Sequence, residues 1–134
     1  GTSQLKRLNQ FVKRRNYLAD RYDRQLKDLP LTTPWQHPDS NTSRHLYVIR
    51  LKAKEYGINH NLIFDHLRDS HIGVNLHYIP IHLQPYYQKL GFKNFHFTEA
   101  EKYYSEAISL PIYPSLKEEE QDYIINKVKD VLEK

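Results

Sequence analysis

The sequence predicts an α+β fold, a small antiparallel or mixed sheet covered by helices and preceded by a long N-terminal amphipathic helix. Three observations carry this. Apolar residues over the first 29 positions recur at helical steps, only three later runs have the composition of strands, and the chain closes on another striped helix behind a capping sequence. Helix and strand alternate along the chain, which by itself favours a parallel α/β sheet. The strands are few and the loops between the last two are long, which fits the α+β arrangement better, although element order alone leaves both open.

Leu5, Leu8, Val12, Ala19, Tyr22, Leu26 and Leu29 follow alternating steps of three and four, interrupted at Arg15. A single helix over residues 2–29 would run ~40 Å at ~1.5 Å per residue, comparable to the diameter of a whole domain of this size. Residues 1–29 therefore read as a connecting helix, a spine between two bodies, and residues 30–134 as the domain proper. Pro30, Pro34 and Pro38 end the helix, residues 39–43 read as a mobile loop, and Trp35 reads as a lid over the core. Residues 45–51, rich in β-branched and aromatic side chains, predict a strand largely buried on both faces and central in its sheet. Asn59 or Asn61 caps a helix that turns Leu62, Ile63 and Leu67 inward and ends near His71, before Gly73 releases the chain. Val74, Leu76 and Tyr78 alternate with Asn75 and His77 as a second strand with one polar face. Pro80 and Pro85 hold residues 79–85 extended, and residues 86–90 make a helical turn closed by Gly91. Thr98-Glu99-Ala100-Glu101 matches a capping box for a helix reaching about Ala107. Residues 108–110 form a short strand stopped by Pro111 and Pro114. Ser115-Leu116-Lys117-Glu118 is a second box, ahead of a helix striped by Tyr123, Ile124, Val128, Val131 and Leu132.

A chain of 134 residues, 39% hydrophobic and 27% charged, is long enough for one modest core and too apolar for disorder. Aromatics make up 13%, and eleven of them are Tyr, whose hydroxyls need partners when buried. With no cysteine there is no disulfide framework, thiolate metal site or cysteine nucleophile, which fits a cytoplasmic protein. No apolar run approaches the ~20 residues that span a bilayer, and Gly1-Thr2-Ser3 lacks a signal-peptide profile, so no membrane partner is expected. The absence of any Met reads as a fragment of a longer protein. Net charge is +4, and residues 1–28 hold eight Lys and Arg against three Asp, a local +5. A basic helix invites a nucleic-acid reading, but these charges are spread around the helix and accompany no known binding signature. Nucleic acid is therefore not an expected partner.

The densest polar constellation runs from Asn75 through His77, Tyr78, Pro80 and His82 to Tyr86 and Tyr87. Polar groups on alternate positions of a strand end, followed by a proline-stiffened turn, make a rigid mount for hydrogen bonds to a polar ligand. The commoner fate of such histidines is to lie half-buried and satisfied by backbone carbonyls. Metal binding is not supported, since a spacing of five residues offers at most two ligands and no Asp, Glu or Cys visibly converges on them. Ser105, Ser109 and Ser115 stand in no nucleophile motif, and the four glycines, at 1, 57, 73 and 91, build no phosphate loop. No catalytic residue is assigned. The Glu118-Glu119-Glu120 run complements a helix dipole and is structural.

Gly1-Thr2-Ser3-Gln4-Leu5 resembles the start of the long helix that follows the cofactor domain in the DegT/DnrJ/EryC1/StrS family of sugar aminotransferases. His45-Leu46-Tyr47-Val48, the run from Ile72 to His82, Ala100-Glu101 and Ser109-Leu110-Pro111-Ile112-Tyr113-Pro114 resemble that family's C-terminal pattern in order and spacing. The resemblance covers nearly the whole chain. Within the family it is most similar to aminotransferases acting on a UDP-linked 4-keto-6-deoxy-N-acetyl sugar, as in the pseudaminic acid pathway, with related branches serving spore coat polysaccharide, lipid A and antibiotics.

The resemblance implies the C-terminal small domain of a fold-type I aminotransferase. In the intact parent, pyridoxal phosphate would take an amino group from glutamate and pass it to the keto carbon of a nucleotide sugar. The family's Schiff-base lysine, its pyridinium aspartate and its phosphate-binding residues precede the long helix. The implied partner is thus a missing N-terminal domain that binds the cofactor, the implied assembly is a homodimer, and this chain alone is expected to bind no cofactor and catalyse nothing. His77, Tyr78 and His82 are implied to reach the sugar-nucleotide pocket, His77 foremost. A free-standing basic binding module and a non-catalytic interaction domain of the same fold are the competing readings.

Overall fold

The leading helix is broken near its start. A computed structural model describes residues 2–133, so Gly1 of the opening pentapeptide and Lys134 at the end of the predicted domain lie outside the described residues. The expected single spine is two pieces, α1 (Thr2–Leu5) and α2 (Leu8–Leu26), parted at Lys6 and Arg7 and ending short of Leu29. Packing explains the break. Leu5 and Leu8 are exposed, whereas Leu18, Ala19, Tyr22 and Leu26 are fully buried, and a helical turn with no apolar face against a partner is marginal in water. Arg15 interrupts the apolar row because it faces a seam of backbone oxygens. Its Nη1 donates to the carbonyls of Arg44, His45 and Ile112 at 3.3, 3.0 and 2.9 Å.

The sheet has three strands in the order β1 (Leu31–Thr32), β2 (Tyr47–Leu51), β3 (Ala107–Leu110), antiparallel throughout. Leu31 pairs with Leu51, and Tyr47 and Arg50 pair with Leu110 and Ala107. The parallel alternative is thereby overturned, and β2 is central as expected. The two-residue edge β1, between Pro30 and Pro34, is an element the sequence reading missed. Trp35 is 79% exposed and stands edge-on to His37, so it is no lid over the core.

After β2 come α3 (Ala53–Tyr56), closed by Gly57 at φ 67°, and α4 (His60–Asp69). Asn59 caps α4, its side chain accepting from the amides of Asn61 and Leu62. Ile63 and Leu67 are buried, but Leu62, one residue off their stripe, is exposed. The left-handed turn beyond α4 falls on His71, at φ 58°, and not on Gly73.

No second strand forms at residues 74–78. Only Asn75 reaches the sheet, exchanging both backbone hydrogen bonds with Ser109 at 3.2 and 2.8 Å. Nor is the proline-flanked stretch extended, since Ile81–Leu83 is a 3₁₀ turn and Pro85 opens α5 (Pro85–Lys89), where a missing N–H costs nothing. Gly91, at φ 99°, closes α5, and a second 3₁₀ turn follows at Phe92–Asn94. Both capping boxes sit off the predicted residue. In α6 (Thr98–Glu106) Thr98 is already helical, and Glu101 reaches back to the Phe97 amide at 3.0 Å. In α7 (Glu118–Leu132) the cap is Lys117, whose N–H donates to Glu120 at 2.9 Å, while its ammonium, lacking an acceptor, cannot return the bond.

Tyr47, Ile49 and Leu51 share one core with Leu18, Tyr22 and Leu26 of α2, Ile63 and Leu67 of α4, and Ile124, Ile125 and Val128 of α7. Tyr123, expected in that stripe, is exposed. Fully buried Gln121 is paired across helices, donating to the Leu18 carbonyl at 2.7 Å and accepting from Arg21 at 2.8 Å, whereas Arg44 Nε and His66 Nε2 are buried without a partner among the described residues. Tyr22 donates to the Pro111 carbonyl at 2.9 Å and Tyr47 to Asp23. Burial raises both phenols well above the ordinary tyrosine range, helped at Tyr47 by the Asp23 carboxylate. On the other face of β2, Arg50 meets Glu106 of α6 at 2.7 Å with its guanidinium over Tyr103.

Candidate functional site

The single bridge between Asn75 and Ser109 positions the site. Two residues beyond it His77 turns back, and its Nδ1 lies 2.7 Å from Ser109 Oγ. Ser109 is 4% exposed, on a strand whose four residues are all buried. His77 itself is half-buried, and its Nε2 has no hydrogen-bond partner among the described residues. The imidazole lines an open cleft of about 330 Å³ together with His45, Asn75, Pro111 and Tyr113. The next peptide bond, His77–Tyr78, is cis. Tyr78 is 73% exposed, its ring edge-on to the imidazole with centroids 4.7 Å apart. His77 and Tyr78 are therefore brought together at a surface, one nitrogen anchored and one free.

His82 has a different setting. It is 6% exposed, its Nε2 lies 2.9 Å from Glu101 Oε1, and its ring packs on Phe97 at 4.7 Å. The Phe97 amide and, after it, the His82 imidazole hold the Glu101 carboxyl below the usual carboxylate range. This places His82 as a post beneath the segment from Ile81 to Phe97, next to an apolar pocket of about 410 Å³ formed with Tyr87 and Phe92. Neither histidine is satisfied by a backbone carbonyl, as had been the commoner expectation; both take side-chain partners. An acidic residue does converge on the segment, Glu101, which spacing did not reveal. Among the described residues no three His, Cys, Asp or Glu form a group able to hold a metal.

Chemically, this arrangement is able to orient a polar ligand. Ser109 and His77 make a hydroxyl–imidazole pair, but Ser109 is buried and, among the described residues, no carboxylate sits on the other nitrogen, so the pair lacks the third group that activates a nucleophile. None of the described lysines is buried, which does not fit the enclosed lysine that a covalently held aldehyde cofactor requires. The basic helix is partly consumed by the fold. Arg21 pairs with Asp122 at 2.7 Å, Arg14 donates to the Leu116 carbonyl at 2.8 Å, and Arg15 binds three carbonyls. Ser109, missed as a site residue, stands in no motif of its own, and Glu101 was read only as part of a capping box. Both lie inside the short blocks that carry the family resemblance, the one signal that pointed at them as part of a site.

A family model described as the DegT/DnrJ/EryC1/StrS aminotransferase family matches residues 1–129. The spore coat polysaccharide biosynthesis protein SpsC of Bacillus subtilis is 39% identical over 135 aligned positions, which cover 98% of this chain and 35% of SpsC. Spr1654 of Streptococcus pneumoniae, in its PLP form, superposes with a TM-score of 0.90 at 33% identity, over 99% of this chain and 34% of that one. PseC of Helicobacter pylori, an aminotransferase involved in the biosynthesis of pseudoaminic acid, superposes with a TM-score of 0.87 at 34% identity, over 99% of this chain and 36% of PseC. The chain thus spans about a third of the length of the relatives it matches. No helix among the described residues is long and apolar enough to cross a membrane.

Proposed function

Because the chain belongs to the DegT/DnrJ/EryC1/StrS aminotransferase family, we propose that the full-length protein is a cytoplasmic, homodimeric nucleotide-sugar aminotransferase that uses pyridoxal phosphate. It moves an amino group from glutamate to the keto carbon of a 4-keto sugar nucleotide, for a surface polysaccharide or other glycan. Residues 30–134 form its small domain, residues 1–29 join that domain to the missing one, and this portion alone is inactive. The cofactor, bound by the rest of the protein, supplies the electron sink for transamination. This chain's residues wall the sugar side of the pocket: His77 and Tyr78 meet the nucleotide sugar, and His82 acts from beneath, through the segment it holds.

One observation supports this assignment above the others. His77 is fixed at Nδ1 by a buried serine while its Nε2 is left for a ligand, beside an exposed Tyr78. Transamination runs as two half-reactions in one pocket, so a residue that touches only the sugar affects only the second. In the full-length protein, His77→Ala should lower kcat/KM for the keto sugar about ten- to a hundredfold, the effect of removing a hydrogen bond of ~1.5–3 kcal/mol. The glutamate half-reaction, followed by single-turnover absorbance, should stay within a few-fold of normal. If both halves slow equally, or neither does, His77 is a folding residue and the assignment fails.

A further inference from the structure

We propose that Ser109 is a positioning residue for this reaction: it donates its hydroxyl hydrogen to Nδ1 of His77, and so holds His77 in the tautomer that carries hydrogen on Nε2. The imidazole then offers a donor to an oxygen of the nucleotide sugar. The proposal rests on the reading that His77 faces that substrate.

The direction of the bond follows from what Ser109 can reach. Its backbone is fixed on both sides, by Val48 in the β2 ladder and by Asn75 in the isolated bridge, so its side chain has little freedom to seek another partner. A serine hydroxyl has one hydrogen to give and lone pairs to accept with. Among the described residues the only hydrogen-bond partner of Ser109 Oγ is His77 Nδ1, at 2.7 Å. Were Nδ1 to carry the hydrogen, Oγ would accept and its own hydrogen would have no protein acceptor among the described residues, at a residue 4% exposed on the cleft wall, a penalised arrangement. With Ser109 as donor both groups are satisfied. Nε2 must then be the protonated nitrogen of the neutral ring, and it is the one with no hydrogen-bond partner among the described residues. Keto and phosphate oxygens of a nucleotide sugar only accept hydrogen bonds, so this tautomer matches them where the other would oppose lone pair to lone pair; a sugar hydroxyl can meet either.

The test uses the full-length protein labelled with ¹⁵N-histidine. The wild-type spectrum should show His77 unprotonated at Nδ1 and protonated at Nε2, and Ser109→Ala should mix the two tautomers. Ser109→Ala should also lower kcat/KM for the keto sugar nucleotide about three- to tenfold, the worth of one neutral hydrogen bond, with the glutamate half-reaction unaffected. In a His77→Ala background the same change should have about no further effect, since the two residues act as one unit. Should the alanine variant fold poorly, Ser109→Cys, close in volume and a weak donor, should show the same pattern to a lesser degree. A protonated Nδ1 in the wild-type spectrum overturns the proposal, and so does a Ser109→Ala loss that persists without His77, which would make Ser109 core packing only. If the spectrum shows the expected tautomer but His77→Ala leaves the sugar kinetics intact, it is the assignment of His77 to the substrate that has failed, and the role of Ser109 in the reaction falls with it.

Discussion

Replacing Arg15 by Ala should destabilise this chain by about 2–3 kcal/mol, far more than a half-exposed surface residue usually contributes. The magnitude follows from the hydrogen count. All three carbonyl contacts come from Nη1, which carries only two hydrogens, so the 2.9 and 3.0 Å bonds to Ile112 and His45 take them and the 3.3 Å contact to Arg44 is a weak share. Charge-assisted hydrogen bonds contribute ~1.5–3 kcal/mol each, a gross ~3–6 kcal/mol for two. His45 is exposed, so water replaces much of that bond; Ile112 is buried, and its orphaned carbonyl keeps most of the penalty. At ~3–5 °C per kcal/mol for a domain of this size, the melting temperature should drop by about 6–15 °C. Arg15→Lys should lose about half as much, because an ammonium on a more flexible stem cannot reproduce the fork. Urea unfolding of the three proteins checks both numbers. An alanine variant within about 0.5 kcal/mol of the parent would refute the view that this side chain staples α2 to the loops before β2 and after β3.

Glu101 makes the anchoring of the aromatic segment acid-sensitive. Its folded carboxyl titrates below the ordinary range, so the ionised form stabilises the fold at and above that range, and the contribution is lost as pH falls through the lowered value; His82 and His96 are the titratable groups that face it. The protection of the Phe97 amide against hydrogen exchange, taken relative to its intrinsic rate at each pH, should therefore fall in acid before the core opens, and Glu101→Gln should remove that dependence; equal protection of Phe97 across the range would show the contact to be idle. Pyridoxal phosphate mixed with the 134-residue chain should keep its free absorption spectrum, since no described lysine is buried. A stoichiometric band that borohydride fixes to one lysine would sink the view that the cofactor site lies elsewhere in the protein.

What could be read in the sequence was local. Residues 47–51 announce themselves because a strand buried against helices needs a run of large apolar and aromatic residues, and Asn59 because only a short polar side chain serves at a helix start. The capping boxes were visible as composition but not as register: Lys117 with Glu120, and Phe97 with Glu101, use the carboxylate half alone, so the preceding Ser or Thr misleads. The alternation at residues 74–78 is real, yet with one ladder position and Pro80 close behind, there is too little pairing to make a strand. The partners that give the site its chemistry are separated by 32 residues for His77 and Ser109 and by 19 for His82 and Glu101, and no periodicity spans such distances.

β2 and β3 are neighbours in the sheet, yet everything from Lys52 to Glu106 lies between them, including His77 and Tyr78, the residues proposed to meet the substrate. Closing such an excursion is slow, because its entropy is lost before the β2–β3 ladder repays it, so the ligand-facing surface is assembled late in folding. Once paid, that cost depends only weakly on length: doubling a flexible excursion adds about 0.6 kcal/mol. The segment from Ile79 to Phe97 can therefore gain, lose or exchange residues while the ladder, the Asn75–Ser109 bridge and the helical core stay as they are. A scaffold wired in this way would let the specificity of the proposed site drift without drawing on the stability of the fold.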